Sequence, residues 1–259
     1  MLVVLFIIVG IVGLCLGSFL NVLTVRVASG ERFLAARSHC PSCRHVLSFL
    51  DLMPVVSFFM LRGRCRYCGW RISWRYPLIE LSTAILFIFI IIRHVSAYGL
   101  ELTAYSLLII VRDIFFVLGL IALFIFDVVW YIVPDSVSLP VIVVSAVLNL
   151  LMGVSLSSLF LGMLVGGGFY LALWFFSQGR WVGSGDIRLG LVLGAMLGYP
   201  LVFVALWVAY VAGGVVAVCL LAARRKELSD VLPMGAFLTV GGCVTLLYGN
   251  SLLGWFILR

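Results

Sequence analysis

Apolar runs of about 20 residues, broken by short polar stretches, fill most of the chain. A run of that length is what a helix needs to cross the hydrocarbon core of a bilayer. Eight such segments are predicted, at about 1–25, 77–98, 104–126, 135–153, 156–176, 186–199, 201–223 and 234–258. The sixth is short and glycine-rich and is expected to span only in part. The first is not expected to be a signal peptide, because it lacks a basic start and its apolar run continues past Gly17 without a convincing cleavage site. One stretch departs from the pattern: residues 26–76 are polar, basic and cysteine-containing. An insert of about 50 residues is marginal for a self-sufficient hydrophobic core and needs a staple, either a metal or disulfides.

Composition excludes the soluble classes. Of 259 residues, 64% are hydrophobic and 10% charged, whereas soluble domains run near half apolar and a quarter charged. The expected fold is an all-α polytopic membrane protein with about eight transmembrane helices and a small cytosolic insert. The domains expected are the first helix (1–25), the polar cysteine-containing insert (26–76) and a helical bundle (77–259).

The net charge of +7 matters through its distribution. Nine of the 17 Lys and Arg lie between Arg26 and Arg75. A nucleic-acid patch would account for them, but membrane orientation accounts for them and for the rest of the chain as well, so no nucleic-acid partner is expected. With eight spans, the connections at 26–76, 127–134, 177–185 and 224–233, together with Arg188 just inside the sixth segment, carry 14 basic residues. The opposite connections and the C-terminus carry two, Arg93 and Arg259. The positive-inside rule then places the insert in the cytoplasm and both termini outside.

Four of the seven cysteines form two C-x2-C pairs, Cys40/Cys43 and Cys65/Cys68. Two such knuckles converging on one ion make a tetrahedral thiolate site that suits zinc in a structural role. Disulfides are the alternative, and a reducing cytoplasm argues against them. His39 and His45 are second-choice ligands. Cys15, Cys219 and Cys243 lie in apolar helices and read as small buried hydrophobes.

Ionisable groups in spanning segments are costly and point to function. Asp127 ends the third segment and Asp186 opens the sixth, in Gly183-Ser-Gly-Asp186. Both fall at the cytoplasmic edge in this topology. Two carboxyls in one pocket can act as base on a water and acid on a peptide carbonyl. Gly183 and Gly185 leave room for substrate or a neighbouring backbone. From spacing alone, each aspartate reads equally well as a helix-terminal cap. Asp135 reads as an N-cap after Pro134. Arg112 and Asp113, adjacent and mid-span, are each expected to pair elsewhere in the bundle. Glu80 reads as a cap or as an acid that greets a basic ligand. Ser18 and Asn21 read as interhelical glue. Gly166-Gly-Gly168 reads as close helix packing rather than a phosphate loop, since no strand precedes it.

Several stretches in order, GSFLNV (17–22), RSHCPSC (37–43), DLMPVVSFFMLRGRCRYCGWRISWRYPLIEL (51–81), FDVVWYIVPD (126–135), GSGDIRLGLVLGAMLG (183–198) and PMGAFLTVGG (233–242), resemble the bacterial type IV prepilin peptidases. These are GxGD-type aspartic membrane proteases that also act as N-methyltransferases. The resemblance implies that Asp127 and Asp186 are catalytic, that Cys40, Cys43, Cys65 and Cys68 hold zinc, and that Gly63 lies in the segment tied to methyl transfer. It implies a prepilin or pseudopilin substrate with a basic leader, cleaved at the cytoplasmic face of the inner membrane. The new N-terminus would then be methylated from S-adenosylmethionine. Glu31, Asp51, Glu80 or anionic lipid headgroups are available to meet that leader. The sequence departs from the family at Arg188, where Lys is common, and at Met234 and Ala236, where Phe and Pro are frequent. No Rossmann methyltransferase fingerprint is visible, so a peptidase without methyl transfer is one rival reading. An ion-coupled transporter is another, and it predicts an inverted repeat that the sequence does not show.

Overall fold

A computed structural model of the chain describes residues 2–30, 37–99, 103–224 and 232–257. Among the described residues it is helical, with two isolated backbone bridges and no strand. It divides into two compact units, 1–101 and 102–259.

The first unit holds α1 (Leu2–Ala28), a 3-10 turn (Phe49–Leu52), the short α2 (Val56–Met60) and α3 (Arg75–Tyr98). Gly13 and Gly17, one turn apart on α1, let it press against α3. A Cβ at Gly13 would stand 2.6 Å from the Ala84 Cα, and one at Gly17 would stand 2.7 Å from the Glu80 Cα. Small residues of this kind are how helices associate where lipid removes the hydrophobic drive. Asn21 adds the expected polar link, its side-chain amide donating to the Tyr76 carbonyl at 3.2 Å. The opposite face of α1 leaves Val3, Val4, Ile7, Ile8 and Ile11 exposed, an apolar stripe suited to lipid.

The second unit holds α4 (Ala104–Trp130), α5 (Asp135–Leu151), α6 (Leu156–Ser177), α7 (Ser184–Leu197), α8 (Leu201–Ala222) and α9 (Met234–Ile257). Its core closes on α7, whose Leu189, Val192 and Leu193 are buried against Leu120 and Leu123 of α4, Val202 and Ala205 of α8 and Leu238 of α9. Asn149 on α5 donates to the Ala195 and Met196 carbonyls at 2.8 Å each, which satisfies the end of α7.

The α6 and α7 helices pack along a glycine ridge. A Cβ on Gly162 would meet the Gly194 carbonyl oxygen at 2.8 Å. Gly166 and Gly190 face each other so closely that neither admits a side chain, and Gly198 sits over Ser158. The expected role of Gly166 in packing is thus observed, and so is that of Gly167, where a Cβ would strike Leu191.

Each of the eight predicted segments is a helix. Six of them, α1, α3, α4, α6, α8 and α9, are long and apolar enough to cross a membrane. The other two are shorter, with 17 residues in α5 and 14 in α7. At 1.5 Å per residue α7 is about 21 Å long, less than the roughly 30 Å of a hydrocarbon core. The chain is a multi-pass membrane protein.

Two expectations are corrected. Cys15 and Cys219 are exposed, whereas Cys243 packs against the core of the second unit as expected. On helices wrapped by lipid, a small apolar residue faces outward at no cost. Arg112 and Asp113 pair with each other, Nη2 to Oδ1 at 2.7 Å. The long arginine side chain reaches round to a neighbour whose Cβ points elsewhere.

Candidate functional site

Three helix ends meet around Asp127. It lies in the last turn of α4 and is 8% exposed. Its Oδ2 accepts the backbone N–H of Ala236, in the first turn of α9, at 2.7 Å. The four leading N–H groups of a helix lack intrahelical partners, and a carboxylate is their natural acceptor. A proline at position 236 could not make this bond. Between them lies Gly235, where a Cβ would fall 2.6 Å from both the Asp127 Cγ and the Leu189 Cδ1. The Pro233-Met234-Gly235-Ala236 turn is thus fitted to Asp127, and Leu189 brings in α7 one turn after Asp186.

Asp186 lies in the first turn of α7. Its Oδ2 accepts the Gly183 N–H at 3.0 Å, the capping role that spacing suggested. Gly185 is required by a neighbour: a Cβ there would meet Val133 Cγ2 at 2.9 Å. At Gly183 the space is open beyond Asp186 itself. Asp127 and Asp186 act on each other electrostatically. Each carboxylate engages one oxygen with a backbone N–H, and among the described residues its Oδ1 takes no donor. Gly235 meets both Asp127 and Leu189, one turn along α7 from Asp186, so the two expected residues lie on neighbouring helix ends of the second unit. Asp135 forms an ion pair with Arg188. Asp135 is the first residue of α5 and Pro134 takes the capping position, so its side chain is free for α7 rather than for its own helix.

The first unit carries the cysteine cluster. The two knuckles have the same backbone. The Cys40 N–H donates to the His45 carbonyl and the Arg44 N–H to Cys40. Likewise the Cys65 N–H donates to Trp70 and the Gly69 N–H to Cys65. Arg44 and Gly69 occupy the matching left-handed position, φ 56° and 72°. The four Sγ atoms lie within 4.8 Å of one another, with Cys40 and Cys68 at 3.8 Å. A tetrahedron with zinc–sulfur bonds of about 2.3 Å needs sulfurs about 3.8 Å apart. Burial works against ionising Cys40, but N–H groups of Cys43 and Ser42 and the nearby thiols bring it down to about 7. The His45 N–H favours the Cys43 thiolate, yet burial, the neighbouring sulfurs and the Cys40 charge push it up to about 11. Four sulfurs so placed form a donor set that fits a metal ion. The histidines stand apart from the set: His45 stacks on Tyr67 with ring centroids 3.6 Å apart, and His39 contacts the Arg37 carbonyl.

Asp51 and Glu80, expected as partners for a basic leader, are engaged within the first unit. Asp51 accepts from the Ser48 N–H and hydroxyl, Arg66 Nε at 2.7 Å and the Tyr67 hydroxyl, so it ties the loop to the second knuckle. Burial of its carboxyl would raise its pKa, but these donors outweigh it and hold the group below the usual carboxylate range. Glu80 accepts the Val55 N–H at 2.7 Å, which anchors the start of α2 to α3. Glu31 lies outside the described residues, as do Arg225 and Lys226. Gly63, φ 66°, packs under the Phe58 ring, where a Cβ would stand 3.1 Å from the ring tip.

Comparison with known proteins matches two families along the chain. Residues 11–94 match the bacterial peptidase A24 N-terminal domain, and residues 114–218 match the type IV leader peptidase family. A protein of Bacillus subtilis named prepilin leader peptidase/N-methyltransferase is 30% identical, covering 95% of this chain and 96% of its own. Proteins of the same name from Aeromonas hydrophila and Pseudomonas putida are 32% and 30% identical, covering 86% and 93% of this chain and 76% and 90% of their own. No solved structure matches. Both halves of the chain, and relatives matched over most of their length, agree: the chain belongs to the type IV leader peptidase family.

Proposed function

We propose that the protein is a membrane-embedded aspartic endopeptidase that removes the basic leader of type IV prepilins or pseudopilins and then methylates the new N-terminus with S-adenosylmethionine. The observation that supports this is that Asp127 packs beside Leu189, one turn along α7 from Asp186, and that each carboxyl has one oxygen held by a backbone N–H and, among the described residues, no donor to the other. With one proton held between them, one carboxylate removes a proton from water as it attacks the scissile carbonyl, and the protonated partner donates to that carbonyl's oxygen. Collapse of the tetrahedral intermediate passes a proton to the leaving amine and restores the pair.

The four cysteines hold zinc in this reading, and the metal's chemistry is structural, since four thiolates close the coordination shell. Residues 26–76, Gly63 among them, carry methyl transfer. The 14-to-2 charge asymmetry supports an inner-membrane protein with the insert and both aspartates toward the cytoplasm and the termini outside. The relatives' shared name supports both activities.

Purified protein in liposomes, given a prepilin and labelled S-adenosylmethionine, tests both. Cleavage is expected to be lost in Asp127→Asn and in Asp186→Asn, by roughly 10,000-fold if each carboxyl is indispensable. Wild-type turnover in either variant removes that residue from the mechanism. Cleavage without label transfer leaves a peptidase alone.

A further inference from the structure

The ridge between α6 and α7 continues one turn beyond its last glycine. Ser158 faces Gly198, Gly162 faces Gly194 and Gly166 faces Gly190, so each step of four residues up α6 matches a step of four down α7. Extended by one more step, the same register sets Tyr170 level with Asp186. Tyr170 is fully buried, with 0% of its surface exposed. Its hydroxyl has no hydrogen-bond partner among the described residues. The Tyr210 hydroxyl on α8 is its polar neighbour but forms no well-aligned bond with it, and the charge of Asp186 acts on both phenols.

A buried hydroxyl without a partner costs free energy that phenylalanine of nearly the same shape would not. Packing accounts for the ring, and Phe169 and Tyr170 meet edge to face at 5.2 Å. It does not account for the oxygen. The register sets Tyr170 at the level of Asp186, whose carboxyl Oδ1 has no donor among the described residues. We propose that Tyr170 is a positioning residue of the peptidase centre: its O–H donates to the Asp186 carboxyl, directly or through one water, when the site is assembled for reaction. The bond fixes the direction of the free carboxylate oxygen, as the Gly183 N–H fixes the other. This inference rests on the reading of Asp186 as one of the catalytic pair.

Tyr170→Phe separates this role from packing. In the full-length protein with a prepilin substrate, kcat is expected to fall by roughly 10- to 100-fold, with KM within about twofold of wild type. Thermal stability in detergent is expected to be unchanged or higher, because an unsatisfied buried hydroxyl has been removed. A kcat equal to wild type overturns the proposal. So does a loss of stability that accounts for the lost activity, which would make Tyr170 structural. Asp186→Asn, measured alongside, keeps the two claims distinct. If it is inactive while Tyr170→Phe is fully active, the peptidase reading stands and the tyrosine falls. If Asp186→Asn is itself active, that reading falls and takes the tyrosine's role with it.

Discussion

At the scale of single residues, the centre depends as much on what is missing as on what is present. Gly235 has no side chain, and that absence lets the Ala236 N–H reach Asp127. Gly235→Ala would drive a methyl group into the carboxyl carbon and into Leu189, both 2.6 Å from the new Cβ. Relieving that overlap means moving Asp127 or the start of α9. We expect a loss of cleavage of about 100-fold, the scale of a displacement near 1 Å at a reacting group. A loss of about 1–3 kcal/mol in stability should accompany it. Wild-type kcat in this variant, with an unchanged melting temperature, would contradict the geometry. Asp127 and Asp186 were legible in the sequence, because a carboxylate at the end of an apolar run is costly enough to stand out. The Ala236 N–H that holds Asp127 was not, at 109 residues' distance, and neither was the Arg188 partner of Asp135, at 53. An alanine carries no side-chain chemistry that would point to its backbone N–H as a donor. Asp51 and Glu80 were noticed for their charge, but the donors that occupy them come from a folded loop that spacing does not reveal.

At the scale of elements, apolar periodicity located every long helix. It marked α7 as a partial span but not α5, which at 17 residues is also too short to count among the six spans. The glycines explain how a helix as short as α7 sits at the centre of the second unit. Not all of them matter equally, and the three consecutive glycines of α6 make the comparison. A Cβ at Gly166 would collide with the Gly190 backbone, while one at Gly168 would meet only Leu164 Cδ1 at an ordinary 3.7 Å. Gly166→Ala is expected to destabilise the protein by roughly 1–3 kcal/mol through overpacking against rigid backbone. Gly168→Ala should be neutral, or stabilising by up to about 1 kcal/mol through helix propensity. Unfolding of both variants in mild detergent measures the difference. Equal stabilities would mean that the ridge is not a close backbone contact.

At the scale of the whole molecule, the two units are held by different physics. The second buries a continuous apolar core around α7. The 37–74 segment of the first leaves Phe49, Leu50, Phe59, Met60, Trp70 and Trp74 exposed and has the four cysteines at its centre. On the proposed zinc reading its order depends on the ion, because metal binding to a site absent from the unfolded chain is itself folding free energy, roughly 10–16 kcal/mol for structural zinc. Elemental analysis should find about one zinc per chain in the wild type and little in Cys40→Ser. Strong chelation of the wild type, or Cys40→Ser alone, should open the 37–74 segment to protease. Amide exchange in α4, α7 and α9 should stay as slow as before, since no metal contributes to their packing. Zinc retained at full occupancy by Cys40→Ser would exclude Cys40 as a ligand. Protection of 37–74 that survives complete metal removal would show that Asp51, Glu80 and the knuckle backbone suffice without an ion. Uniform loosening of both units would show instead that the metal stabilises the molecule globally rather than the segment that binds it.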